Sequence, residues 1–189
     1  RRNLGFHSGM ASDFLVDLMQ SGVVTNITKP FDRGVSTTAI LLGKTKLYKF
    51  ADNNKELKLR PSWHTHSGDV HLLKNFVSIN SALEVDLTGQ VGAEELHGVP
   101  VSAIGGQPDL VRAAHRSDGG HAIIALPSLA KGGKFSRIVC KLTGPVTTAR
   151  SDVDVIVTEN GAADLRGKDL DQRRRALINI AAPVFQEDL

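Results

Sequence analysis

Cysteine is almost absent: Cys140 stands alone among 189 residues, so no disulfide can close within the chain. No basic, apolar, small-residue leader opens the sequence, and the two observations together give a reducing cytoplasm as the expected setting. Aromatic residues make up 5% of the chain, with one Trp and one Tyr, too few for a row of stacking rings. That excludes the stacking platforms of single-strand nucleic-acid binders. There is no apolar run long enough to span a bilayer, no repeat of solenoid length and no low-complexity tract. Long stretches of one charge are missing as well: 23 Lys and Arg are interspersed with 20 Asp and Glu. The one tight basic cluster, Arg173-Arg174-Arg175, falls where the pattern predicts a helix, and consecutive helical residues point in different directions. Neither nucleic acid nor a membrane is therefore expected as a partner. The net charge of +3 and the pI of 9.1 suit a small polyanion.

What is present is enough apolar residue, 41%, to enclose a core, at a length that favours one compact domain. Short β-branched runs alternate with amphipathic stretches, which predicts an α/β fold. Residues 4–7 read as a short extended piece, and HSGM, 7–10, as a tight turn between strand and helix. Ser12 then caps a helix whose apolar positions are Phe14, Leu15, Leu18 and Met19, ended by Gly22. Residues 35–42, VSTTAILL, predict a strand buried on both faces, and 44–50 a short helix. Residues 52–61 are polar and turn-prone, and 63–71 predict loops before a short helix near 70–74. Strands are predicted at 76–80, 82–87, 121–126, 135–139 and 153–158, with helices at 110–116 and 169–181. Alternation at 82–87 gives that strand one polar face, carrying Glu84 and Asp86.

Four groups of residues invite a chemical reading. Paired glycines in IGGQPDL, 104–110, let backbone N–H groups approach a phosphate or thioester oxygen with no Cβ in the way; the same letters also spell a simple turn. Glu84 and Asp86 could form an acid/base pair, or a hydrogen-bonded anchor of the framework. His64, His66 and His71 cluster without HExxH, paired cysteines or a carboxylate at ligand spacing, so a surface or cleft role is the simpler assignment and no metal is expected. His7 and Ser8 are adjacent in an extended segment, which turns them to opposite faces and argues against a nucleophile–base pair.

Five blocks in order, LGFHSGMASD (4–13), SINSALEVDLTGQV (78–91), IGGQPDL (104–110), IIALPSLAKGGKFSRIV (123–139) and VTTARSDVDVIVTENGAADLRGK (146–168), resemble the acetyl-CoA hydrolase/transferase family, which includes the acetate and 4-hydroxybutyrate CoA-transferases. The resemblance implies the C-terminal domain, spanning 1–189, of a two-domain protein with an open α/β sheet of the CoA-transferase (NagB/RpiA-like) type. It also implies a missing N-terminal domain and a homodimer in the parent protein. Coenzyme A or acyl-CoA enters as substrate, with a small carboxylate as acceptor and no covalently bound cofactor. In the family the LGFHSGM segment carries a glutamate that attacks the acyl-CoA thioester and becomes a glutamyl-CoA thioester. Its position falls on Gly9, which has no side chain.

With Gly9 native, water takes the carboxylate's place and gives hydrolysis, or the domain has become a catalytically inactive CoA-binding or assembly module. With Gly9 a variant, transfer remains the parent activity. By resemblance, Ser102, Gly105, Gly106 and Lys131 bind CoA, and Asn80 neighbours the active centre. Glu159, in an ENG triplet, lies well after the nucleophile position and reads as a strand-end residue before a turn.

Overall fold

The computed structural model describes residues 2–130 and 132–189, so Lys131 lies outside the described residues. Where length alone favours one compact unit, the chain divides into two, Arg1–Leu73 and Lys74–Leu189. Each is mixed α/β with open sheets, and no closed barrel forms among the described residues.

The first unit is a parallel three-stranded sheet in which His7–Ala11 pairs with Ser36–Leu41, and Ser36–Leu41 with Leu57–Leu59. Two helices cross between these strands, Asp13–Gln20 with Ser12 at its N-cap and Thr45–Ala51. Ala11, Leu15, Val24 and Leu57 form the core beneath them. Three expectations change here. Residues 7–11 are strand rather than turn, because parallel pairing with 37–41 satisfies their backbone. The strand Ser36–Leu41 is buried only at its polar start, Ser36, Thr37 and Thr38, while Ile40 is 60% exposed. The polar segment 52–61 contains the strand Leu57–Leu59, of which only Leu57 is buried. A four-residue helix, Ser62–Thr65, and a 3-10 turn, Gly68–Leu72, occupy the predicted loop region.

The second unit carries a four-stranded sheet. Val77–Asn80, His121–Ala125 and Val155–Thr158 run parallel and adjacent, and Gly161–Asp164 closes one edge antiparallel. The turn expected after Glu159 is present, two residues long, and leads straight into that last strand as a hairpin. The helix Gln107–Arg116 forms the crossover between the first two strands, and Leu170–Ile180 packs against the hairpin. Asp169 caps the latter in a capping box with Gln172. A second sheet joins Ile138–Val139, Glu84–Asp86 and Val91–Gly92. The predicted strand 135–139 is thereby split, its first half pairing with Leu129–Ala130 instead. Ile124, Ile138, Ile156, Leu165 and Leu177 fill the core.

The strand Glu84–Asp86 has no solvent face: Glu84 is 7% and Asp86 2% exposed. Buried carboxylates persist only when fully bonded. Glu84 accepts from the N–H and hydroxyl of Thr143, and Asp86 from the N–H and side chain of both Thr88 and Gln90. Both are framework anchors, not an acid/base pair.

Candidate active site

In the first unit, alternation along the strand His7–Ala11 puts His7 and Gly9 on one face. The short helix Ser62–Thr65 lies there. His7 Nε2 is 3.2 Å from the Thr65 carbonyl, and a Cβ built on Gly9 would stand 2.7 Å from Nε2 and 2.9 Å from Cε1 of His66. A Cβ at residue 9 would therefore require the imidazole of His66 to move, and the glycine sits in a strand, not a turn. Ser8 Oγ accepts from the Met10 N–H and makes no bond to His7, so no serine–histidine pair exists.

Behind this strand lies a buried polar cluster that composition gave no hint of. Lys29, 6% exposed, donates to the carbonyls of Phe6 and Val35 and to the Thr37 hydroxyl. Burial pulls its ammonium down to about 8, against the opposing pull of Asp32. Burial alone would raise the Asp32 carboxyl, but hydrogen bonds from His64 and Thr37, with the charges of His64 and Lys29, hold it below the usual carboxylate range. His7 is lowered to about 4, first by burial and then by the Lys29 charge, and its Nδ1 has no partner among the described residues. These groups lock the sheet to the helix Ser62–Thr65. Among the described residues, no group of three or more His, Cys, Asp or Glu could hold a metal ion.

In the second unit, parallel strands joined by a crossover helix gather their functional ends at one edge. The C-terminal end of the helix Gln107–Arg116 meets Asp154 through His115, just before the strand Val155–Thr158 begins. Its N-terminal end, capped by Gly106, therefore lies at the carboxyl edge of the sheet, where Asn80, Ser128 and Glu159 also stand.

Gly105 is exposed with φ of +58°, a conformation that favours glycine, and Gly106 is half-buried. The amides of residues 104–107 find no acceptor among the described residues. Those of Val101 and Ser102, just upstream, are tied to the Glu94 carbonyl. Gln107 is not aimed at a ligand: its buried amide donates to Thr148 and pins the helix start. Asn80 donates to Ser78 at the end of its strand. Ser128, which sequence reasoning passed over, holds both oxygens of Glu159 through its N–H and hydroxyl. That bonding keeps the Glu159 carboxyl below its ordinary range and fixes it as a structural strand-end group. Asn160 is likewise spent on the carbonyls of Ile180 and Ala181.

The structure thus brings the double glycine and Asn80 to one sheet edge, with Ser102 at the entry to the same loop. Gly9 belongs to the other unit and has His66 as its neighbour.

Comparison with known proteins follows the same lines. The chain is 46% identical to the 4-hydroxybutyrate coenzyme A transferase of Clostridium kluyveri, over 100% of this chain and 45% of that protein. RipA from Yersinia pestis superposes with a TM-score of 0.94 at 40% identity, covering 100% of this chain and 43% of RipA. The 4-hydroxybutyrate CoA-transferase of Porphyromonas gingivalis superposes with a TM-score of 0.86 at 36% identity, covering 100% and 44%. The chain therefore spans a little under half the length of these relatives. Residues 43–189 match the acetyl-CoA hydrolase/transferase C-terminal domain, and the chain belongs to that family.

Proposed function

We propose that this chain is the coenzyme A-handling C-terminal half of a protein that moves CoA between an acyl-CoA, such as acetyl-CoA, and a small carboxylate, or hydrolyses the acyl-CoA. The observation that carries the proposal is the loop 104–107: its unengaged amides, opening a ten-residue helix at the carboxyl edge of a parallel sheet, are suited to a thioester oxygen or a phosphate. In this assignment Gly105 and Gly106 admit the ligand, Ser102 stands at the loop entry, Asn80 neighbours the reacting group, and Lys131 meets an anionic part of CoA. Gly9 marks the position of the family's nucleophile.

The finer fold assignment is the NagB/RpiA-like arrangement within a two-domain, homodimeric, cytoplasmic parent. Apolar side chains left on the sheets need cover. Ile40 is 60% and Ile79 68% exposed, and an N-terminal domain, within the length by which the relatives exceed this chain, is the occupant we assign.

A second reading, a domain that binds CoA without turning it over, is favoured by Gly9 alone. The experiment that tests the main proposal is amide exchange at 104–107 in the full-length gene product with and without CoA.

A further inference from the structure

We propose that His66 acts as a general base that delivers water to the acyl-CoA thioester, so that this protein hydrolyses thioesters where a glutamate would have carried the acyl group. The inference rests on the reading that the strand His7–Ala11 borders the reacting carbonyl. Its own support is geometric. The ring of His66 stands where a side chain on residue 9 would begin, with Nε2 2.7 Å from the position of a Cβ. A glutamate at 9 and His66 in this place exclude each other.

The ring is also prepared for the task. Its Nδ1 lies 3.2 Å from the Ser62 carbonyl and 2.9 Å from the Thr65 hydroxyl. A carbonyl only accepts, so the contact to Ser62 is a hydrogen bond in the tautomer with the proton on Nδ1, and this is the tautomer the proposed role uses, with a lone pair on Nε2. Nε2 has no hydrogen-bond partner among the described residues, and the residue is half-buried, not fully exposed. Thr65, fully buried, offers its carbonyl to His7 and so fastens the histidine-bearing segment to the strand of Gly9.

In the reaction, a water oxygen bonds to the acyl carbon while His66 Nε2 takes the water proton. The tetrahedral adduct then breaks its C–S bond, and the imidazolium returns the proton to the departing sulfur. The products are CoA thiol and a carboxylic acid, which ionises into solvent.

The test uses the full-length gene product and acetyl-CoA. The expected result is thiol release without any acceptor carboxylate, with one oxygen of the acetate derived from ¹⁸O-labelled water. His66→Gln should lower kcat about 100-fold, the scale of a lost general base, with little change in KM. His66→Gly should regain turnover on addition of imidazole, a readout that a purely structural histidine would not give. The double variant Gly9→Glu, His66→Ala should acquire acceptor-dependent transfer, while Gly9→Glu alone should not match it because the ring occupies the space. Matching far-UV circular dichroism establishes that each variant is folded. Turnover that needs an acceptor, CoA binding without turnover, full activity in His66→Gln, or failure of imidazole rescue would each overturn the role of His66 while leaving CoA handling intact. Absence of CoA binding would instead remove the reading on which it rests.

Discussion

Acid should destabilise the first unit through His7, and the size of the effect follows from its surroundings. The ring is 7% exposed, its Nδ1 is unpartnered among the described residues, and Lys29 adds a nearby positive charge, so the folded protein keeps it neutral down to about 4 against an ordinary value of 6.5. The unfolded chain takes up the proton first. Stability from this group is therefore fully present above pH 6.5 and is lost as pH falls through 4. At pH 4.5 the linkage amounts to about 2.5 kcal/mol relative to pH 7.5. The charged and titratable groups facing His7 are Lys29, His64 and Asp32, and all three are retained in the comparison variant. Urea unfolding followed by Trp63 fluorescence reports on this unit, since Trp63 is the only tryptophan. His7→Gln, which does not titrate, should lose about 2.5 kcal/mol less than wild type between these pH values. Equal losses in the two proteins would refute the reasoning.

Two framework predictions concern the second unit. Asp86→Ala strips four bonds from a site 2% exposed and strands their donors, so urea unfolding should show a loss of about 3 kcal/mol, with Asp86→Asn losing clearly less. Asp169→Ala removes the capping box of Leu170–Ile180 and should cost about 1 kcal/mol by the same measurement, since a cap satisfies only end-of-helix amides.

Where local chemistry decides structure, the sequence was readable. The helix after Ser12 and the strand at 121–125 follow from periodicity and breakers, although the Ser12 side chain makes no cap hydrogen bond, and the helix expected at 110–116 begins three residues earlier, at Gln107. Local signals failed where distant partners decide. Gly9 suggests a turn by itself, yet it lies in a strand because residues 37–41 pair beside it and the ring of His66 needs its bare Cα. Glu84 and Asp86 alternate like a solvent face but are buried, because Thr143, Thr88 and Gln90 satisfy them. Lys29, Asp32 and His64 look like ordinary surface residues until the fold links them, Lys29 and Asp32 through Thr37 and His64 through Asp32. Of the candidate site, the double glycine was legible from its letters; the histidine standing over Gly9 had no sequence signal of its own, since only the tertiary fold joins the two segments.

The most direct measurement is hydrogen–deuterium exchange of the full-length gene product, read by mass spectrometry on peptides covering residues 104–107. Added CoA should slow exchange of the Gly105, Gly106 and Gln107 amides, which lack protein acceptors in the free chain among the described residues. CoA that binds, as judged by calorimetry, while leaving these amides exchanging at their free rate would contradict the account, and so would a protein that binds no CoA.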